Sequence, residues 1–221
     1  MNLTRKFVAE FLGTAVLLAV VVGSGIMGER LSGGNDAIAL LANSIATGAG
    51  LIFLILGFSE ISAHFNPVIT FTEVLRGYLD FRTLLIYSLA QIFGAFLGVG
   101  IANLMFDLPF IFPSTKVRTG FSQWLGEFVA TFGLIAVIRL GSSYKPQFVA
   151  FMVASYITAA YWFTSSTSFA NPAVTLARSI SNTFAGIRPV DVLPFIIAQI
   201  LGAIAATLVC NWLIQEEKEN G

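Results

Sequence analysis

The sequence predicts an all-α integral membrane protein with six transmembrane helices and two short re-entrant half-helices. Hydrophobic residues make up 56% of the 221 residues and charged residues only 11%, and mean hydropathy is +0.83. A soluble domain carries about 25% charged residues. Six apolar segments approach the ~20 residues that a helix needs to cross a bilayer. An Asn-Pro pair occurs twice, each time between a long apolar segment and a shorter one.

Polar or charged turns separate the six apolar segments. The first follows Arg5 and Lys6, and its length is typical of a retained span rather than a cleaved signal peptide. The longest loop, at 107–120, divides the chain into two halves. The predicted spans are 7–27, 37–58, 83–104, 121–140, 147–164 and 190–214.

Composition also limits the chemistry that the chain can perform. The formal net charge is zero, which gives no electrostatic reason to expect nucleic-acid binding. The single cysteine, Cys210, has no partner for an internal disulfide. His, Cys, Asp and Glu residues form no group with catalytic or metal-ligand spacing. We therefore expect neither enzyme activity nor a metal or cofactor.

The Asn-Pro pairs predict the starts of two short helices. Asn is a favoured N-cap, and Pro is favoured at the first helical position because it has no N–H to leave unpaired. Asn-Pro is also an ordinary turn signal. The shared surroundings favour helices, since a serine lies three or four residues before each Asn and a threonine lies four residues after it. The two motifs are Asn66-Pro67-Val68 and Asn171-Pro172-Ala173.

Two further motifs recur in the same order and indicate an internal repeat. They are Glu10-Phe11-x-x-Thr14 with Glu127-Phe128-x-x-Thr131, and Ala90-Gln91-Ile92-Phe93-Gly94-Ala95 with Ala198-Gln199-Ile200-Leu201-Gly202-Ala203. We interpret 1–221 as one membrane domain with repeats at 1–106 and 120–215 and a cytoplasmic tail at 216–221. Three spans per repeat is an odd number, so the second repeat enters the membrane inverted relative to the first.

Charge asymmetry predicts the orientation. Cytoplasmic loops carry an excess of Lys and Arg, so we expect both termini in the cytoplasm and the chain in the cell membrane. The face with the termini collects seven such residues and the other face five: Arg5, Lys6, Arg76, Arg82, Arg139, Lys145 and Lys218, against Arg30, Lys116, Arg118, Arg178 and Arg188.

Along nearly its whole length the sequence resembles the major intrinsic protein family of aquaporins and aquaglyceroporins. The paired Asn-Pro motifs, the repeated Glu-Phe-x-x-Thr segments and the repeated Gln91 and Gln199 carry the resemblance. It implies two half-helices that meet at mid-membrane, a pore in each subunit, and a homotetramer in lipid. It also implies that Asn66 and Asn171 donate hydrogen bonds to passing solutes.

The resemblance assigns roles to several other polar residues. Glu10 and Glu127 are expected to anchor the re-entrant loops through hydrogen bonds, although a proton relay is an alternative for carboxyl groups in a span. His64 is expected at the cytoplasmic mouth, either bonded to the loop or sensing pH. Arg178 is expected at the outer mouth, either pairing with the loop or attracting anions.

The selectivity constriction departs from that of water-selective family members. They have an arginine directly after the second Asn-Pro-Ala, where this chain has Val174. Counting from the motifs places Thr47, Ala159 and Ser168 at the other constriction positions, so all four side chains are small. The sequence is similar to a bacterial branch associated with arsenical permeation.

These features predict a passive channel for small uncharged solutes that excludes ions and protons. The expected solutes are water, glycerol-like polyols, urea, and neutral metalloid hydroxides such as arsenous acid. A strict water channel is the first alternative. An ion-coupled secondary transporter is the second, because inverted repeats with broken helices also form transporters.

Overall fold

The computed structural model describes residues 2–219 and the side chains of residues 2–214. Within that part of the chain the fold is helical, and the one β-bridge joins Phe112 to Ser181. Eight α-helices follow in order: α1 Leu3–Leu31, α2 Asp36–Phe58, α3 Pro67–Leu75, α4 Phe81–Met105, α5 Phe121–Tyr144, α6 Val149–Phe163, α7 Pro172–Ala177 and α8 Val192–Glu219.

The long helices coincide with the predicted spans. Among the described residues, five helices are long and apolar enough to cross a membrane: α1, α2, α4, α5 and α8. Helix α6 has 15 residues, and the 3₁₀ turn Pro146–Phe148 precedes it directly, so this helical segment corresponds to the fifth predicted span, 147–164. The backbone of α8 continues to Glu219, into the predicted tail. The side chain of Lys218 and residues 220–221 lie outside the described residues.

The helices of the two repeats pack in matching pairs. Helix α1 packs against α4 and α2, and the corresponding α5 packs against α8 and α6. Helices α2 and α6 join the two repeats. The short helices α3 and α7 contact each other, and each also packs against a long helix of both repeats. The inverted repeat therefore encloses the two short helices between the long ones.

Glycines bring the paired helices into backbone contact. The Cα atoms of Gly94 and Gly98 on α4 lie against the carbonyl groups of Phe11 and Ala15 on α1, leaving no room for a Cβ atom. Gly202 on α8 lies in the same way against Phe128 on α5. Close packing of small residues drives helix association in lipid, because the hydrophobic effect does not bring helices together there.

We expect Gly94→Ala and Gly202→Ala to lower the stability of the fold by about 1–3 kcal/mol, because the added methyl group meets rigid backbone. Gly57→Ala is the matched control, since a Cβ atom on Gly57 has open space around it. Thermal unfolding in detergent measures the effect. Equal melting temperatures for Gly94→Ala and Gly57→Ala would contradict the packing argument.

Candidate functional site: a cavity between the re-entrant helices

Each Asn-Pro pair begins a short helix. The side-chain oxygen of Asn66 accepts a hydrogen bond from the N–H of Val68 (3.1 Å). Asn171 caps α7 by accepting from the N–H groups of Ala173 (3.0 Å) and Val174 (3.3 Å). Proline follows at the first helical position in both. The two predicted half-helix starts are confirmed.

The two asparagines also bond across the repeats. The amide nitrogen of Asn66 donates to the carbonyl oxygen of Ala170 (2.8 Å), and that of Asn171 donates to the carbonyl oxygen of Phe65 (2.8 Å). Each asparagine therefore binds the carbonyl group of the residue that directly precedes the other asparagine. An amide nitrogen carries two hydrogens, so one remains on each side chain for a solute.

The residues before the asparagines have unusual backbone conformations. Phe65 has φ +49° and Ala170 has φ +48°, in the left-handed region, and Thr167 and Ser168 also have positive φ. Such conformations in residues other than glycine are unfavourable by about 1–3 kcal/mol each. The loops keep this shape because buried carboxyl groups hold their N–H groups.

Those carboxyl groups belong to Glu10 and Glu127, which are both fully buried. Glu10 accepts hydrogen bonds from the N–H groups of His64 (2.8 Å) and Phe65 (2.7 Å). Glu127 accepts from the N–H groups of Phe169 (2.8 Å) and Ala170 (2.8 Å). A bond from the side chain of Gln91 (2.8 Å) or Gln199 (2.6 Å) supports each carboxyl group.

A cavity of about 370 Å³ runs beside the two asparagines. Arg76 and Arg139, which lie near helix ends, line the cavity at one mouth. Arg178 lines it at the other mouth. Its polar wall consists of the two loops before the asparagines. Apolar side chains of α1, α2, α5 and α6 form the opposite wall: Leu17, Val21, Leu51, Ile55, Leu134, Ile138, Val149, Val153 and Ile157.

Three of the four predicted constriction residues, Thr47, Ser168 and Val174, line this cavity. The fourth, Ala159, does not: it is exposed on α6. Residues at intervals of four, ending with Ile157 and Tyr161, form the cavity face of α6. Ala159 lies two residues from each, which is about 200° around the helix. The prediction of Ala159 is therefore wrong.

Tyr161, two residues after Ala159, lines the cavity instead. Its hydroxyl group hydrogen-bonds to that of Thr47 (3.2 Å). The sequence predicted small side chains only, whereas the cavity lining next to Thr47 also includes this large aromatic side chain. Counting back from Asn171 missed Tyr161, whereas the repeat of four shared with Val149, Val153 and Ile157 would have indicated it.

Two motif residues lie behind the cavity wall. Val68 packs against Ile135, Ala203 and Ala206 of the second repeat, and it does not line the cavity. Ala173 belongs to the main buried core. The branched side chain of Val68 thus fills a helix contact, and the prolines at the first helical positions fix the helix starts. Only the asparagines of the two motifs present side chains to the cavity.

His64 lines the cavity on the side of Arg76. Its Nδ1 atom lies 3.0 Å from the hydroxyl oxygen of Thr70, and its ring packs edge-on against Tyr87. The side chain is therefore bonded within the first re-entrant segment. This geometry agrees with a loop-bonded histidine at a pore mouth.

Three cationic side chains cluster at the opposite mouth. Arg178 is 2% exposed and Arg118 is 6% exposed. Lys116 donates to the carbonyl oxygen of Phe184 (2.7 Å). Burial and the neighbouring guanidinium groups lower the pKa of Lys116 to about 8. Arg178 does not snorkel outward: it turns inward over the ring of Phe169 and lines the cavity.

Two helix repeats inserted in opposite directions around one cavity define a membrane channel. A family model described as major intrinsic protein matches residues 1–147 and 114–221. The chain belongs to the major intrinsic protein family, whose members are channels and not enzymes. Within the part of the chain that the structure describes, no three His, Cys, Asp or Glu side chains group to hold a metal.

Individual relatives agree with this assignment. The chain is 54% identical over 215 residues to aquaglyceroporin AqpS of Rhizobium meliloti (strain 1021), covering 97% of this chain and 92% of the relative. It is 30% identical to the probable aquaporin TIP2-1 of Oryza sativa subsp. japonica, covering 82% and 78%. The fold matches the aquaglyceroporin of Plasmodium falciparum with a TM-score of 0.78, 18% identity and full coverage of both chains.

We expect Glu127→Gln to lower both stability and solute flux. The amide group replaces one acceptor oxygen with a donor, which leaves a buried N–H of Phe169 or Ala170 unpaired. An unpaired buried donor is unfavourable by about 1–3 kcal/mol. Melting temperature and liposome flux measure the change. Glu60→Gln is the control, because Glu60 is exposed; equal behaviour of the two variants would contradict the anchoring role.

Proposed function

We propose that the chain is a passive channel that conducts water and small uncharged solutes and excludes cations and protons. The observation that carries the proposal is the cavity that passes both asparagines and is lined by residues of both mouths. Its lining combines one polar wall with one apolar wall. A solute that bonds to one side only is held weakly and leaves quickly.

The polar wall is formed in the same way by both repeats. Residues 63–65 line the cavity before Asn66, and residues 168–170 line it before Asn171. Because the asparagine amides are donors and peptide groups offer acceptors, a chain of hydroxyl groups finds partners along this wall. Water, glycerol and arsenous acid each carry hydroxyl groups, so they match this lining.

The exclusion of cations follows from the two short helices. Helices α3 and α7 begin at Asn66 and Asn171, beside the middle of the cavity. A helix N-terminus carries up to about half a positive charge. Two such termini facing the passage oppose a cation or a hydrated proton, and a neutral solute meets no such barrier.

The side chains at the proposed constriction favour the conduction of solutes larger than water. Thr47, Ser168 and Val174 are small and line the cavity. By family resemblance, Val174 stands where water-selective members have arginine, and valine is the smaller side chain. Tyr161 and Arg178 add polar groups at the same end. The relative AqpS is named an aquaglyceroporin, and the same class of solute suits this chain. We place glycerol-like polyols, urea and arsenous acid ahead of strict water selectivity.

A liposome experiment separates this channel from an ion-coupled transporter. We expect glycerol flux to increase linearly with the glycerol gradient and to be independent of Na⁺ and proton gradients. Stopped-flow light scattering of proteoliposomes measures this, with empty liposomes as the control. Saturation at low glycerol concentration together with dependence on an ion gradient would contradict the proposal.

The constriction has a separate test in Val174→Arg. An arginine there fills part of the cavity, so we expect glycerol and arsenous acid flux to fall at least about tenfold relative to water flux, equivalent to about 1.4 kcal/mol in the barrier. Val190→Arg is the control because Val190 is 71% exposed. An unchanged ratio of glycerol to water flux would refute the constriction argument.

We further propose a homotetramer in the cell membrane with both termini in the cytoplasm. Large apolar side chains on the outer faces of the helices support contacts with lipid and with further copies. Native mass spectrometry is expected to show four copies of the 23.8 kDa chain. Protease protection of a C-terminal tag in sealed inverted vesicles would contradict the orientation.

A further inference from the structure

Arg178 is a buried charged side chain that lines the cavity and makes one hydrogen bond within the described part of the chain. It is 2% exposed, and its Nε atom donates to the carbonyl oxygen of Ala185. The guanidinium carbon lies 3.4 Å from the centre of the Phe169 ring. The two terminal nitrogens have no hydrogen-bond partner among the described residues, and the side chain lines the cavity. Its free donors therefore lie at the passage.

A second guanidinium group lies on the same ring. Arg118 is 6% exposed, and its guanidinium carbon lies 4.9 Å from the centre of Phe169. Unlike Arg178, it donates through all three nitrogens: Nε to Gly186 (2.8 Å), Nη1 to Ser166 (3.0 Å) and Nη2 to Phe184 (3.5 Å). Arg118 thus adds positive charge to the mouth while Arg178 retains the free donors.

The nearby acidic groups are occupied elsewhere. Glu127 bonds to the second re-entrant loop, and Glu29 accepts from the N–H of Phe184 (3.0 Å). Asp191 forms an ion pair with Arg188 (2.9 Å). Among the described side chains, neither Arg118 nor Arg178 has a carboxyl group within ion-pair distance. A buried cation without a counter-charge is unfavourable, so an anion at this place would stabilise it.

We propose that Arg178 binds one small oxyanion, of the carboxylate or phosphate type, at the outer end of the cavity. The planar guanidinium group presents parallel N–H donors that match two oxygens of such an anion. Stacking on Phe169 and the bond to Ala185 fix the orientation of the donors. Arg118 and Lys116 increase the local positive charge.

This site lies in the passage of the proposed channel, and the inference goes beyond the conduction of neutral solutes. An anion held by Arg178 occupies space beside Val174 and Tyr161, which line the same cavity. A bound oxyanion therefore obstructs neutral solutes, and glycerol flux decreases as the site fills. Anion binding and glycerol flux can therefore be measured separately.

The binding test uses the full chain in lipid nanodiscs at low ionic strength. Isothermal titration calorimetry with sodium formate and, in a second arm, inorganic phosphate is expected to show saturable binding of at least one probe at one site per chain. We expect Arg178→Gln to weaken that binding at least tenfold and Arg178→Lys to weaken it less. Arg188→Gln, which removes a cation outside the cavity, is expected to bind normally.

The absence of saturable binding to the unaltered chain would overturn the inference, as would equal binding by the Arg178→Gln variant. Melting curves of all variants establish that they are folded, and the result for the unaltered chain does not depend on any variant. Glycerol flux without the probe tests the proposed function independently. A chain that conducts glycerol but binds neither probe keeps its channel function and loses the oxyanion site.

Discussion

The rest of the structure depends on two buried carboxyl groups that hold two loops in a strained conformation. Phe65 and Ala170 have left-handed backbones, and Glu10 and Glu127 accept hydrogen bonds from their N–H groups. Without these acceptors the loops would gain nothing from such a conformation, since backbone at membrane depth has no water to bond. The asparagines, the helix starts and the polar wall of the cavity all follow from this arrangement.

The polar side chains at and behind the cavity wall have two different roles. Gln91 and Gln199 bond to the carboxyl groups of Glu10 and Glu127, and neither glutamine lines the cavity. Asn66, Asn171 and Arg178, which line the cavity, leave donors unused. The buried carboxyl groups and their glutamine partners fix the shape of the loops. The donors left free at the cavity are available to a passing solute.

The sequence was sufficient to predict the features that occur in both repeats. It was not sufficient to predict which face of a helix meets the cavity. The paired motifs at Asn66 and Asn171 predicted the short helices because capping is local chemistry. Ala159 was wrong because a count along the chain does not determine which face of α6 meets the cavity. The inward turn of Arg178 depends on Phe169 and Ala185, whose proximity only the folded loop creates.

The bonds that cross between the repeats have a consequence for the order of assembly. Asn66 requires the carbonyl group of Ala170, and Val68 packs against Ala203 and Ala206 of α8, which is synthesised well after α3. Helix α3 therefore cannot reach its final environment while the ribosome is still producing the second repeat. During synthesis the first half must wait in the membrane with an incompletely docked segment, and arrival of α8 completes both halves at once.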